Sequence, residues 1–295
     1  MPKPDKISPG TLELILKYQK TEETDHLIYS RMAAREKNAD NRAILARIAA
    51  EEKEHAAIWA RYTGRKIGPN RARAFCLSIL SLIFGYTFII KLMEKGEYAA
   101  DQAYRELVGE IPEAAKIIAE EQAHEIRLAG MLDEERLKYV GSMVLGLNDA
   151  LVELSGTLAG LTLALANTRL VALAGIITGI SATLSMAASN YLAERADGRD
   201  DALKSSLYTG AAYLVTVVCL VAPYLLLPPG MYLAALGLML AVVVLIIMVF
   251  NYYLAVAKNL PFGKRFREMA AISLGVALIS FGIGLAAKKI LGVDL

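Results

Sequence analysis

Apolar and charged positions alternate at helical spacing along the first part of the chain. Leu12, Ile15 and Leu16, then Ile44, Leu45, Ile48 and Ala49, recur three and four residues apart with charges between them, and Gly64, Gly68 and Pro69 punctuate the run. The spacing predicts two amphipathic helices within 11–72. A third is expected over 74–107, closed by Gly109 and Pro112, and a fourth over 112–138, with proline in a first turn where its missing N–H costs nothing. Four long helices with short connections form a bundle. After Lys138 the pattern changes. The stretches 140–166, 170–193, 207–227, 231–257 and 269–287 are apolar all round, close to or beyond the roughly 20 residues that a bilayer core requires. No charge falls between Lys204 and Lys258, and Pro228-Pro229-Gly230 divides that run in two. The expected fold is all-α, with a four-helix bundle in 1–138 and a five-helix transmembrane domain in 139–295.

Composition sharpens this division. Of the 62 charged residues, 44 precede Val140, although the chain has 295 residues, so the two parts are built for different solvents. A hydrophobic content of 55% excludes a disordered chain, and a net charge of +2 without a basic block argues against a nucleic-acid partner. Cys76 and Cys219 lie in apolar runs and are expected to be buried thiols; two cysteines make neither a disulfide framework nor a zinc site. The first ten residues hold no apolar core of a signal peptide, which predicts that the bundle stays in the cytosol. With the bundle inside, the inner flanks of the spans hold Arg136, Lys138, Arg195, Arg199, Lys204, Lys258, Lys264, Arg265 and Arg267, and the outer flanks only Arg169, Lys288 and Lys289. That bias puts the C-terminus outside. The uncharged stretch 75–90 is too short for a confident span, and a crossing there would separate polar groups that belong together; a buried helix half, a subunit surface or a face resting on the membrane is expected instead.

Glu-x-x-His occurs twice, as Glu52 with His55 and Glu121 with His124. On a helix a separation of three sets the side chains about 60° apart, so both can reach one ion. Each copy follows a glutamate with a tyrosine seven residues later, Glu22 with Tyr29 and Glu97 with Tyr104, so the bundle reads as a duplicated two-helix unit. That symmetry brings four carboxylates and two imidazoles to one point in the core. Ionised carboxylates removed from water need compensation, and two divalent metals provide it. An oxygen-rich set with one imidazole per metal suits iron or manganese, and Glu94, one turn before Glu97, adds a seventh donor. Glu22 rather than Glu23 is the expected ligand because of its spacing to Tyr29. His26 is expected to be a supporting or surface group, and Glu23, Glu51, Glu54, Glu120 and Glu125 to lie on solvated faces. Tyr29 and Tyr104 are expected to hydrogen-bond a carboxylate.

In the first span Asp149 and Glu153 are four residues apart on one face, and each costs on the order of 3 kcal/mol at a bilayer centre, which points to transport. The second span offers Thr178, Ser181 and Ser185, with Met186 and Asn190 beside them. The pairs Gly156 with Gly160 and Gly175 with Gly179 are expected to permit close helix packing.

On these motifs residues 11–138 resemble the rubrerythrin type of the ferritin-like superfamily, whose third helix also carries two glutamates three apart. The resemblance implies that Glu22, Glu52, His55, Glu94, Glu97, Glu121 and His124 hold a di-iron centre, with manganese or zinc as substitutes, where ferrous iron is oxidised by oxygen or peroxide. No Cys-x-x-Cys pair follows, so the electron-transfer module of rubrerythrins is missing. Residues 140–290 resemble the vacuolar iron transporter family, matching it at Gly146-Leu-Asn148-Asp149 and Ser185-Met186. This likeness implies a homodimer moving Fe(II), or Mn(II), out of the cytosol in exchange for protons, with the path between subunits and Asp149, Glu153, Thr178, Met186 and Asn190 along it. Thr178 stands where that family has a glutamate, a role Glu153 could take over, and the family's acidic helices after the second span are replaced by the short 194–204 loop. The whole chain is similar to the membrane-bound ferritin proteins of prokaryotes, which implies an integral protein of a prokaryotic cell membrane. The expected function is iron export with a cytosolic di-iron domain that captures, oxidises or senses the metal; the alternative is a membrane-tethered ferroxidase or peroxide scavenger.

Overall fold

The computed structural model describes residues 7–93, 110–130, 138–258 and 260–291, and all of its regular structure is helical. The chain divides into two compact units, Met1–Glu134 and Glu135–Leu295.

In the first unit α1 spans Pro9–Arg35 and α2 spans Ala39–Thr63. Ser8 Oγ accepts from the Thr11 amide and Pro9 opens the first turn, so α1 starts where an N–H is dispensable. Asn38 caps α2 by accepting from the Asp40 and Asn41 amides, and Gly64, at φ 62°, closes it in the left-handed conformation. The three-residue connection makes the pair an antiparallel hairpin that buries Ile15, Ile28, Tyr29, Leu45, Ile48 and Trp59. α3 covers Arg71–Phe84, a helical segment follows over 86–93, and α4 covers Ala114–Gly130. Ile111, Ala114 and Ile117 join Ile15, Tyr18, Ile58 and Trp59 in one apolar cluster.

Two expectations are corrected here. The helix expected over 74–107 is broken at Gly85, whose φ of 88° only glycine adopts without strain; apolar periodicity cannot register such a break. The apolar 75–90 stretch is thereby cut into pieces, and it is not among the helices long enough to cross a membrane. It is also only half buried: Leu77, Phe88, Ile89 and Ile90 are inside, whereas Phe75, Ile79 and Leu82 are exposed. Cys76, expected inside, is exposed, and Cys219 is half-buried.

In the second unit α5 covers Val140–Leu165, α6 Thr168–Ala196, α7 Ala202–Leu226, α8 Tyr232–Ala257 and α9 Phe262–Leu291. Among the described residues these five helices are long and apolar enough to span a bilayer. Asn167 caps α6, accepting from the Arg169 and Leu170 amides. Leu151, Leu154, Leu158, Val171, Tyr213, Tyr224, Met239 and Val243 form the shared core. At Gly146 a Cβ would lie 2.2 Å from the Thr209 carbonyl oxygen, so α5 and α7 can meet there only without a side chain. The fifth helix begins seven residues before the apolar stretch, because Lys264, Arg265, Arg267 and Glu268 are good helix formers that hydropathy does not count. α5 contains a feature with no sequence signature: residues Ala150–Leu154 form a π-helical turn immediately after Asp149.

Candidate metal sites

The hairpin of α1 and α2 and the facing α4 bring Glu22, Glu52, His55 and Glu121 together, with one donor atom of each within 4.8 Å of the others. His124 completes the set. His55 Nδ1 lies 3.0 Å from Glu121 Oε1 and 3.6 Å from Glu52 Oε2; His124 Nδ1 lies 3.3 Å from Glu52 Oε1 and 3.4 Å from Glu121 Oε2. The rings are nearly parallel, with centroids 5.8 Å apart. Each Glu-x-x-His pair thus places its imidazole beside its own glutamate and the other pair's. Glu22 is buried and accepts from Trp59 Nε1 at 3.3 Å, whereas Glu23 faces outward and pairs with Lys53. His26 Nδ1 meets the Ala49 carbonyl at 2.6 Å, tying α1 to α2. Tyr29 is buried. Glu94, Glu97 and Tyr104 lie outside the described residues.

The far nitrogens of the imidazoles expose a correction. Glu51 and Glu120 were expected on solvated faces. Instead His55 Nε2 donates to Glu120 Oε2 at 3.0 Å and His124 Nε2 donates to Glu51 Oε2 at 2.7 Å, each from the opposite motif, and Arg127 also binds Glu51 at 2.8 Å. Glu54 and Glu125 are exposed. A carboxylate on the outer nitrogen orients the ring and makes its inner nitrogen a better ligand. The doubled glutamate in Glu51-Glu52 and Glu120-Glu121 was the available signal, since both copies of the repeat carry it.

Burial opposes charge on the two imidazoles, but the Glu121 and Glu52 carboxylates beside them outweigh it and push both up to about 10. Burial likewise opposes ionisation of Glu52, and the His124 and His55 imidazoles and the Glu22 side chain beside it overcome that, holding this carboxyl down at about 2. Without metal, ring protons therefore supply the positive charge that the carboxylates need. Both Nδ1 atoms are buried and lack an aligned hydrogen-bond partner although carboxylate oxygens surround them. Two inward-facing nitrogens without hydrogen bonds, each braced behind by a carboxylate, fit a dinuclear metal centre. Asp25, one turn after Glu22, was not singled out in the sequence. It is 4% exposed with Oδ1 unpartnered, and burial, then Glu52, raise it to about 8 against the pull of Arg73.

In the membrane unit Asp149 and Glu153 lie within hydrogen-bonding reach of one another, and Tyr213 on α7 donates to Glu153 Oε2 at 3.3 Å. Tyr213 is fully buried and was invisible to sequence spacing. Among the described residues no lysine or arginine forms an ion pair with either carboxylate. Glu153 is exposed on the protomer and Asp149 is half-buried. Thr178 and Met186 are half-buried on α6, and Met186 packs against the apolar core. Asn190 belongs to a different cluster: it donates to Ser205 Oγ at 3.0 Å, which donates to Glu194 at 2.9 Å and also meets Ser142.

Residues 140–199 match the model of the VIT family. That segment holds Asp149, Glu153, the π turn and all of α6. No curated protein and no solved structure matches the chain. A VIT-family segment within a set of five apolar helices makes this an integral membrane protein and points to metal-ion transport.

Proposed function

We propose that the protein exports Fe(II), or Mn(II), from the cytosol in exchange for protons, as a homodimer whose cytosolic bundle holds a di-iron centre. The observation that carries the transport reading is the Asp149–Glu153 pair beside the π turn, in the segment that matches the VIT family. Two carboxyls in a span, without a cationic partner among the described residues, bind a divalent ion when ionised and release it when protonated. Glu153 cannot face hydrocarbon at low cost, and its exposure on the protomer supports a second subunit and a polar path at that face. Tyr213 orients Glu153 by its hydrogen bond.

In the bundle Glu22, Glu52, His55, Glu121 and His124 would hold the metals, joined by Glu94 and Glu97. Iron bound there supplies one-electron redox chemistry. The chain's own contribution is to orient the imidazoles through Glu51 and Glu120 and to exclude water with Ile48, Trp59 and Ile117.

The test is metal flux in proteoliposomes made with the full chain. Metal movement coupled to proton counterflow supports export. Oxygen or peroxide consumption with no flux from the native chain would replace this reading with a membrane-tethered oxidase.

A further inference from the structure

Within the membrane unit a cavity of about 380 Å³ opens between α5, α8 and α9. Asn148 and Val152 line it from α5, Asn251 from α8, and Arg265, Glu268 and Met269 from α9. Asn148 Oδ1 is buried with no hydrogen-bond donor. An amide oxygen left this way costs about 1–3 kcal/mol, a cost that a ligand would offset. Asn251 is 3% exposed, and its amide nitrogen is engaged by the Ile247 carbonyl at 2.8 Å and Met269 Sδ at 3.2 Å. With the nitrogen committed, the end of Asn251 that remains for a ligand is its carbonyl oxygen. Glu268 is exposed at the same cavity and adds a carboxylate; Arg265, also exposed, balances it.

Two amide oxygens, a thioether and a carboxylate form a set that accepts rather than donates, and so selects a cation. The sulfur favours a first-row transition ion over calcium or magnesium. Asn148 directly precedes Asp149, about 100° around the helix, so the stripe of Asn148 and Val152 adjoins the stripe of Asp149 and Glu153. The π turn begins just after this pair of residues.

We infer that this cavity is a divalent-metal loading site, in which Asn148, Asn251, Glu268 and Met269 hold a ferrous or manganous ion before it reaches Asp149 and Glu153. Its role rests on the transport reading, while its occupancy does not.

The experiment is equilibrium Mn(II) binding to the purified full chain, followed by the resonance of the free ion. Glu268→Gln and Asn148→Ala should each weaken one site by at least about tenfold and leave the bundle sites unaltered, while Arg265→Gln should tighten that same site. Glu268→Asp should restore most of the affinity, which separates loss of a ligand from loss of the fold. Co(II) should show a sulfur charge-transfer band that Met269→Leu removes. Isotherms that Glu268→Gln and Asn148→Ala leave unchanged would overturn the inference. In proteoliposomes the same variants should raise KM for the metal with the maximal rate kept. If the native chain moves no metal, the transport reading fails, and the binding isotherms still decide the cavity.

Discussion

The first unit and the membrane unit hold carboxylates in opposite electrostatic settings. In the first unit the described carboxylates of the metal cluster have cationic or donor partners: Glu52 meets both imidazoles, Glu22 meets Trp59, and even the outer Glu51 is held by His124 and Arg127. In the membrane unit Asp149 and Glu153 have, among the described residues, each other and the Tyr213 hydroxyl. A compensated cluster keeps its buried charges satisfied by its own side chains. An uncompensated pair gains from binding and from protonation alike, so it can exchange one for the other. Under the proposed function the first would be a resident centre and the second a site of exchange.

The strongest challenge to this contrast removes the exchangeable charges. Asp149→Asn together with Glu153→Gln should reduce metal flux in proteoliposomes at least about 100-fold, equivalent to about 3 kcal/mol of barrier, with bundle metal content unchanged. Residual flux near the native value would dissociate the pair from transport. In the bundle, Glu52→Gln leaves two buried imidazoles short of a partner and should lower stability by about 3–5 kcal/mol. Trp59, the only tryptophan of the chain and a contact of Glu22, makes its fluorescence a specific reporter of that unfolding.

Asp25 is the opposite case within the first unit, a carboxyl held neutral by burial. Its folded value of about 8 lies above the ordinary 3.8, so between these the unfolded chain releases a proton that the folded one keeps. The contribution of Asp25 to metal-free stability should therefore fall as pH rises from about 4 to 8 and level off beyond, where the imidazoles titrate in turn. Asp25→Asn should flatten that slope in Trp59-monitored melts and stabilise the bundle at pH 8 by a few kcal/mol. A smaller effect is expected at the outer carboxylates: Glu51→Gln or Glu120→Gln should weaken bundle metal binding by about 10–100-fold in competition with a chelator, without abolishing it. The least is expected at the α1 cap, where Ser8→Ala should cost about 1 kcal/mol in the same melts.

Much of the architecture was legible because hydrophobic periodicity and length report directly on solvent. The five spans were anticipated to within a few residues except at the start of α9, where charged helix formers extend the helix past its apolar part. The duplicated Glu-x-x-His motif pointed to residues that the fold indeed draws into one cluster. The break at Gly85 was not readable, since a glycine within an apolar run fits a continuous helix equally well until packing demands a positive φ. Glu51 and Glu120 were misassigned to solvent because one glutamate among several on a charged helix carries no direction.

The all-helical class, the division into a charged and an apolar unit, and the residue types available for metal chemistry follow from the order of amino acids, since they depend on composition and on spacing along one helix. Tertiary structure alone decided which imidazole nitrogen faces inward, that Glu51 and Glu120 brace the opposite ring, that Tyr213 reaches Glu153, and that a π turn follows Asp149. Those are relations between helices distant in sequence, or local responses to packing, and their free energies depend on distances that no pattern along a single chain encodes.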